Sequence, residues 1–548
     1  MSQSSAEATS AYANGRQQLA AGDLKSALSN FLVALALAPH ERAHRTAALN
    51  ILGLATGYRT LPPAVLAALR DCVSDPTLDV QPLSLVMKTL AEADARLAEL
   101  DVALARPAQD AEQYLARGHA DWLLADPLLH GVLARGIVIG LRLENVLTAV
   151  RAHALRAMEL KSNTLLNTHR GLLTAMALQM QAMRFPWLEG ADETAAHARL
   201  PASADALLVR AMYRPLAAFS DHDAAALPPA LHGASATRTE LARIAATLPN
   251  LTPIEAGTST LVRDQYERYP YPPWDGLSDV TPTTFPAFVN ARFGGRVAAG
   301  TDRPEILSAG CGTGRGALML ALTFPAARVT AVDLSAASLA YALLKAEQLA
   351  ARNISFGVAD ILRVSALGRS FDVIESSGVL HHMADPGAGL QALASVLKPG
   401  GLMRVALYSE RARGAVIAAR QIIADHRIPD ADDGVRTARR VLAGLPLGHA
   451  ARGVVDTPEF FTVDGLHDLI FNVQESRFTP AQIKRLLRDA GLAFLGFDLA
   501  DARALAGYRV AHPGDPDGLD LDKWESFEHN TPGVFAEMYQ FWCHKPAV

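Results

Sequence analysis

The sequence is poor in the residues that would indicate a secreted or metal-binding protein. Cysteine occurs three times in 548 residues, at Cys72, Cys311 and Cys543. Three scattered cysteines support neither a disulfide framework nor a zinc site, so we expect a reducing, cytoplasmic location and no bound metal. The first residues lack the basic and apolar regions of a signal peptide, and none is expected.

Strong charge and long apolar runs are lacking as well. There are 51 basic and 56 acidic residues, giving a net charge of −5, and no run of lysine or arginine stands out. We therefore expect no nucleic-acid partner. No stretch is long and apolar enough to cross a membrane. A chain of this length exceeds a single hydrophobic core, and its first half is rich in alanine and leucine, which favours helices.

A glycine-rich turn follows an apolar strand in the second half. The strand ends at Ala309, and glycines follow at positions 310, 312, 314 and 316. Backbone without Cβ atoms can pass close to a ligand, and the next helix points its free N–H groups at the same place. The pattern predicts contacts from Gly310, Cys311, Gly312 and Gly314 to a nucleotide-like ligand. A glycine-rich turn without a ligand remains the alternative.

Acidic residues end the next two predicted strands. Asp333 ends one, where a carboxylate can accept both hydroxyls of a ribose, and Asp360 follows the other. Asp360 is predicted to take the exocyclic amine of an adenine, while Leu334 and Ile361 pack on the two faces of the ring.

These motifs together resemble a class I S-adenosylmethionine (SAM) dependent methyltransferase. The resemblance includes the run Val379 to His382 and the turn Leu397 to Gly401, in the order and spacing of that family. It implies SAM as cofactor and S-adenosylhomocysteine as product. It also implies an α/β Rossmann-like sheet of seven strands, of which the last is antiparallel.

One position departs from the family pattern. These methyltransferases usually carry an acid two residues before the first glycine, and this chain has Ser308 there. A serine hydroxyl can accept a hydrogen bond but brings no charge. We read the change as tolerated and keep Ser308 and Ser377 among the predicted cofactor contacts. A non-catalytic SAM-binding adaptor remains an alternative.

The N-terminal half is predicted to be a large all-α region. Residues 1–40 are interpreted as a loose tail, to about residue 7, and a helix pair similar to one tetratricopeptide repeat, with Gly15 and Phe31 at the packing positions. Residues 41–250 are predicted to form an all-helical domain. Its parts around Asp126 to Leu155 and Gly171 to Trp187 resemble the helical domain of bacterial fusions of such repeats with methyltransferases. Helices are expected over residues 42–56, 63–73, 82–104, 110–123 and 128–137. A peptide-docking groove, a scaffold and a homodimer contact remain open as its role.

A linker and a segment rich in tyrosine and proline occupy residues 251–300. In the fusions that this chain resembles, a similar segment closes over the cofactor. The resemblance implies that Arg263 holds the SAM carboxylate and that Tyr266, Tyr269 and Tyr271 shape the methyl-transfer pocket. An aromatic strap that packs two domains together is the structural alternative.

Residues 301–548 are assigned to the methyltransferase domain, with an insertion at about 410–490. An insertion at the carboxyl edge of the sheet is suited to cover a substrate. Four of its side chains are candidates for reaching the substrate, with a structural role as the alternative for each: His467, Gln474, Glu475 and Arg477.

Methyl transfer needs a positioned nucleophile that has lost its proton. His381 or Glu375 is predicted as the general base, and His382 and Tyr271 are predicted to shape the reaction pocket. The first hypothesis is methylation of a protein or peptide that the helical domain selects. The second is O- or N-methylation of a small molecule, with the helical domain serving dimerisation.

Overall fold

The computed structural model describes residues 3–54, 58–101, 114–161, 164–277, 280–499, 502–535 and 537–547. The chain folds into two compact units. The helical unit comprises Met1–Thr239, Trp274–Asp279 and Ile423–His467. The sheet unit comprises Glu240–Pro273, Val280–Ile422 and Asp468–Val548.

Helices build the N-terminal part of the chain. Their bounds are Gln3–Ala20, Leu24–Leu37, Arg42–Leu52, Pro63–Val73, Gln81–Ala93, Ala95–Asp101 (3-10), Asp121–Leu124, Pro127–Arg135, Leu141–Glu159, Thr164–Met183, Ala191–Ala198, Ala204–Ala211, Leu216–Ala218 (3-10), Asp221–Ala225 and Pro229–Ala245. The large all-α N-terminal region is therefore confirmed. Residues 55–57 and 102–113, where three of the predicted helices begin or end, lie outside the described residues.

The first two helices pack closely because of one small residue. A Cβ on Gly15 would lie 2.8 Å from the Phe31 ring, which is 1% exposed. Asp23 begins the second helix, and its side chain accepts a hydrogen bond from the Ser26 N–H. The predicted helix pair is therefore present, while its assignment to the tetratricopeptide family stays a prediction. The predicted loose tail is wrong, because the first helix begins at Gln3 and no proline interrupts it.

Part of the predicted substrate cap belongs to the helical unit. Residues 423–467 carry the helices Asp432–Ala443, Ala450–Asp456 (3-10), Pro458–Phe461 (3-10) and the start of Val463–Ile470. The Arg439 guanidinium forms a buried ion pair with Glu144 and also donates to the Phe460 carbonyl at 2.9 Å. Arg184 pairs with Asp464 at 2.7 Å. Contacts distant in sequence thus assign this segment to the helical unit, which proximity along the chain could not indicate.

A seven-stranded sheet forms the second unit. Its strands are β1 (Glu305–Ala309), β2 (Arg328–Asp333), β3 (Ile354–Val358), β4 (Phe371–Ser377), β5 (Leu397–Tyr408), β6 (Ala493–Phe497) and β7 (Met538–His544). The order across the sheet is β3-β2-β1-β4-β5-β7-β6. Only β7 runs antiparallel to its neighbours β5 and β6. The predicted fold class is confirmed.

Helices cover the two faces of this sheet. Their bounds are Thr258–Arg268, Phe285–Phe293, Arg315–Thr323, Ala336–Gln348, Ile361–Leu367 (3-10), Leu380–His382 (3-10), Pro386–Val396, Gly414–Asp425, Pro480–Asp489, Ala502–Ala511 and Leu521–Asn530. Leu307 and Ile374 point into one apolar core, and Ile306 and Val373 into the other. Because successive residues of a strand face opposite sides, β1 and β4 each contribute to both cores. Among the described helices, none has the length and apolar character needed to cross a bilayer.

Candidate cofactor and acceptor site

The turn after β1 requires glycine. Gly310 and Gly312 have φ angles of 74° and 52°, in the region that side chains with a Cβ rarely adopt. A Cβ on Gly310 would lie 2.5 Å from the Val379 side chain. The Gly312 N–H donates to Oδ2 of Asp333 at 2.7 Å, so the turn is fixed to the end of β2.

Gly314 has a packing role. A Cβ at this position would lie 2.4 Å from Cβ of Ala342, and Gly314 does not line the cavity described below. It allows the helix that begins at Arg315 to approach the next helix. Its position therefore does not support the predicted contact with the cofactor.

A cavity of about 650 Å³ opens at the carboxyl ends of the parallel strands, and all of its lining residues belong to the sheet unit. It brings together most of the predicted site residues, from both the strand ends and the tyrosine-rich segment. Those in its wall are Tyr266, Tyr271, Gly310, Cys311, Gly312, Asp333, Leu334, Asp360, Ile361, Ser377 and His382.

Two carboxylates in the wall are held by backbone donors. Asp333 accepts from the N–H groups of Gly312 at 2.7 Å and Ser335 at 2.9 Å, while burial raises its pKa. Asp360 is 1% exposed and accepts from the N–H groups of Glu255 and Leu362, each at 3.0 Å. Both side chains are therefore fixed in orientation before any ligand binds.

Ser308 and Glu375 do not line this cavity. They are register partners on neighbouring strands, and the Ser308 hydroxyl donates to Oε2 of Glu375 at 2.9 Å. Glu375 lines a second cavity, of about 300 Å³, together with Arg404 and Asp498. The sheet alternation turns both side chains toward this face, so Ser308 does not reach the cofactor cavity. The predictions of Ser308 as a cofactor contact and of Glu375 as a base are wrong.

The tyrosine-rich segment contributes one helix face to the cavity. Thr258, Val262 and Tyr266, spaced four residues apart, line the cavity. Arg263 lies outside the lining and pairs with Asp264 at 2.7 Å. The predicted role of Arg263 is therefore not supported by its position. Tyr269 is buried but also does not line the cavity, in contrast to its predicted role.

His381 and His382 form a hydrogen-bonded chain of neutral imidazoles. Nδ1 of His381 accepts from the Tyr408 N–H at 3.3 Å, so its Nε2 carries the proton and donates to Nε2 of His382 at 3.1 Å. Nδ1 of His382 then donates to the Gln474 carbonyl at 2.7 Å. Burial lowers the pKa of both residues. All four ring nitrogens are engaged, so neither imidazole is free to act as the predicted base.

His381 does not line the cavity at all. It is fully buried and stacks on the Tyr408 ring, with centroids 3.8 Å apart. His382 lines the cavity, and both of its ring nitrogens are engaged in hydrogen bonds. Its role in shaping the pocket stays a prediction.

Sequence reasoning missed three acidic side chains in the wall, those of Glu255, Asp385 and Asp468. Asp468 is held by other side chains. Its carboxyl accepts from the Tyr266 hydroxyl at 2.7 Å and from the Asn472 side chain at 3.3 Å, both through Oδ1. No motif marks this position. The only available signal was the spacing of Asp468 and Asn472, four residues apart within the insertion.

The side chains predicted to reach the substrate from the insertion do not line this cavity. Glu475 is buried and pairs with Arg413 at 2.6 Å and Arg477 at 3.4 Å. Gln474 contributes its carbonyl to His382. His467 belongs to the helical unit, where its Nε2 lies 2.7 Å from Asp430. These contacts are structural.

Comparison with protein families identifies the part of the chain that holds the glycine turn and both carboxylates. Residues 306–401 match the methyltransferase domain family. The prediction of a SAM-dependent methyltransferase domain is thereby confirmed for this segment, which runs from β1 into β5.

Curated relatives match parts of the chain. An uncharacterized protein of Synechococcus sp. is 34% identical over 254 residues, which are 43% of this chain and 59% of that protein. A trans-aconitate 2-methyltransferase of Deinococcus radiodurans is 39% identical over 19% of this chain and 38% of its own length. A ubiquinone biosynthesis O-methyltransferase of Cereibacter sphaeroides is 30% identical over a match that covers 30% of this chain and 58% of that protein. The chain thus spans less than two thirds of each of these relatives.

Solved structures give weaker similarities. PKMT2 from Rickettsia typhi in complex with AdoHcy is 17% identical with a TM-score of 0.39, over 51% of this chain and 55% of that chain. A phosphoethanolamine N-methyltransferase 2 of Haemonchus contortus in complex with S-adenosyl-L-methionine is 16% identical with a TM-score of 0.27. The match covers 53% of this chain and 57% of that chain.

Proposed function

We propose that this protein is a SAM-dependent methyltransferase and that its acceptor is a protein or peptide. One observation carries the first part. The segment that matches the methyltransferase domain family supplies the glycine turn, Asp333 and Asp360 to one cavity of about 650 Å³. A cavity of this size is in the range of small-molecule sites.

The residues in the cavity fit SAM. Gly310 and Gly312 leave a surface without Cβ atoms, and Asp333 is held in place to accept ribose hydroxyls. Asp360 is oriented for an adenine amine, with Ile361 beside it in the wall. When bound, SAM supplies an electrophilic methyl group on a sulfonium.

The protein's own contribution is positioning and exclusion of water. Tyr266, Tyr271, His382 and Met538 also line this cavity. An acceptor beside them is oriented by packing and meets no free imidazole base, because His381 and His382 are engaged with each other.

The helical unit supports a protein or peptide acceptor. Its first two helices expose apolar side chains beyond what their own packing needs, with Leu19 41%, Leu24 37% and Val33 46% exposed. Exposed apolar surface of this kind is suited to protein contacts. A small-molecule acceptor is the second candidate, and the names of the Deinococcus and Cereibacter relatives favour it.

Two measurements test the proposal. Isothermal titration with SAM and S-adenosylhomocysteine tests the cofactor, with Asp333→Ala as the variant expected to lose binding. Transfer of a tritiated methyl group into a cell extract then tests the acceptor. Label in the acid-precipitated fraction supports a protein, and label only in the soluble fraction supports a small molecule. SAM binding without any product would indicate a non-catalytic adaptor.

A further inference from the structure

The Asp, Glu, Lys and Arg side chains that line the cofactor cavity are all of one sign. Among the described residues in its wall there is no lysine or arginine, but there are five acids: Glu255, Asp333, Asp360, Asp385 and Asp468. A cavity of this composition repels anionic groups and attracts cationic ones.

Four of these acids already have defined partners. Asp333 and Asp360 accept from backbone N–H groups at the strand ends. Asp385 begins a helix and accepts from the N–H groups of the next turn at 2.8 and 3.1 Å. Glu255 forms an ion pair with Arg363. These contacts account for the four as ligand or structural groups.

Asp468 differs from the other four. It is 7% exposed, and in the described structure both of its hydrogen bonds go to Oδ1, leaving Oδ2 without one. No described salt bridge involves it, since Arg413, the nearby cation, pairs with Glu475 at 2.6 Å. The Asp468 charge also raises the pKa of Arg413, so the two side chains interact electrostatically without forming an ion pair. Oδ2 of Asp468 therefore remains available to a hydrogen-bond donor on a ligand that enters the cavity.

Three aromatic residues line the cavity together with this carboxylate. The Tyr266 ring lies 6.3 Å from the His382 ring, which lies 5.8 Å from Tyr408, and all three residues line the cavity. Burial and the Asp468 carboxylate both raise the pKa of Tyr266, so its hydroxyl stays a donor. Aromatic faces beside a carboxylate favour an amine or ammonium group.

We propose that the methyl acceptor of this enzyme is an amine, bound with its nitrogen at Oδ2 of Asp468 between the rings of Tyr266, His382 and Tyr408. This inference rests on the proposed methyltransferase function. An acceptor that enters as an ammonium first gives one proton to the Asp468 carboxylate, which passes it to solvent. The lone pair of the neutral amine then forms the new C–N bond while the C–S bond of the donor breaks, its electron pair going to sulfur. The methylated nitrogen then releases one proton, which the Asp468 carboxylate accepts and passes to solvent.

The competing acceptor classes fit less well. A hydroxyl acceptor is neutral and therefore gains no charge attraction from the five acids in the wall. A carboxylate acceptor would enter a cavity that already holds five acids.

The test uses three probes of equal chain length, n-butylamine, 1-butanol and butyrate, with the full-length protein saturated with S-adenosylhomocysteine. Binding is measured by saturation-transfer NMR and titration. We expect n-butylamine to bind more tightly than the other two. Asp468→Asn should weaken its binding about tenfold or more, with S-adenosylhomocysteine binding and the melting temperature unchanged. Asp489→Asn, at an exposed position, is the matched control.

Each possible outcome either supports the amine acceptor or overturns it. Equal or tighter binding of 1-butanol or butyrate by the wild type overturns the inference, and this comparison needs no variant to fold. Unchanged n-butylamine binding in Asp468→Asn overturns it too. Failure of the wild type to bind S-adenosylhomocysteine overturns the proposed function itself, and the inference with it.

Discussion

Nε2 of His381 lies 3.1 Å from Nε2 of His382, and the hydrogen bonds on either side of the pair require both imidazoles to be neutral. A proton added to His382 would place two donors opposite each other. The pair is therefore a structural element that is intolerant of acid, although its sequence position suggested catalysis.

The first prediction concerns pH and stability. The pKa of both histidines is lowered by burial, so below pH of about 6.5 the unfolded chain binds protons that the folded chain does not. The free energy of unfolding should then fall as pH decreases from 6.5 to 5, by up to about 1.4 kcal/mol per pH unit for each histidine. Urea unfolding across this range measures the slope. The variant His381→Phe should have a shallower slope, and an unchanged slope would contradict this account.

The second prediction concerns the cofactor. Asp333→Ala removes a carboxylate that is already oriented by Gly312 and Ser335. Hydrogen bonds to a charged group contribute about 1.5–3 kcal/mol each, so SAM affinity should fall at least about tenfold. Titration calorimetry measures it, with Asp489→Asn as a surface control. Equal affinity in Asp333→Ala would mean that the cofactor does not contact this residue.

The third prediction separates two effects of replacing a glycine that has positive φ: backbone strain and collision of the new Cβ with a neighbouring side chain. Gly310 and Gly368 both have positive φ, but a Cβ would collide with Val379 only at Gly310 and would meet nothing within 4 Å at Gly368. Gly368→Ala should lower the free energy of unfolding by about 1–2 kcal/mol through backbone strain alone. Gly310→Ala should cost clearly more and should also weaken SAM binding. Thermal denaturation and calorimetry compare them, and equal losses would rule out the collision.

The fourth prediction tests the pair Ser308–Glu375. Ser308→Asp restores the acid that is usual in the family, but places it against the buried Glu375 carboxylate. Like charges in contact are unfavourable, so we expect a loss of stability. The exchanged variant Ser308→Asp/Glu375→Ser should recover most of it. Urea unfolding of the four proteins completes a double-mutant cycle, in which additive effects would contradict a direct interaction.

The fifth prediction concerns the helical unit. Arg439→Met leaves Glu144 buried without its cation, and breaking such a pair costs about 3–5 kcal/mol. Arg440→Met changes the neighbouring, exposed arginine and should cost little. Limited proteolysis and thermal denaturation distinguish the two variants. Similar stability for both would show that the ion pair is not important for this unit.

Much of the sheet unit was predictable because its signals are local. A glycine turn after an apolar strand requires positive φ, and an acid at the end of the next strand comes to lie beside that turn in a parallel sheet. Asp333, Asp360 and their neighbours were found in this way, and the antiparallel β7 followed from the family resemblance.

The positions of the remaining residues are set by contacts between parts of the chain that are distant in sequence. Glu375 follows a strand pattern, but its side of the sheet is decided by register with Ser308. Asp468 enters the cavity wall through its contact with Tyr266, about two hundred positions away in the chain. Residues 423–467 join the helical unit through the pair Arg439–Glu144. No periodicity or motif encodes these three relationships.

The place of β7 between β5 and β6 has a consequence for biosynthesis. A ribosome produces β6 some forty residues before β7, so the growing chain holds β5 and β6 without the strand that joins them. Until then the free edge of β5 is open to pairing with other chains. Met538, which belongs to the cavity wall, is also made among the last residues of the sheet. The cavity wall is therefore complete only after β7 has been made, and release of the chain before that point would leave an aggregation-prone sheet without a finished pocket.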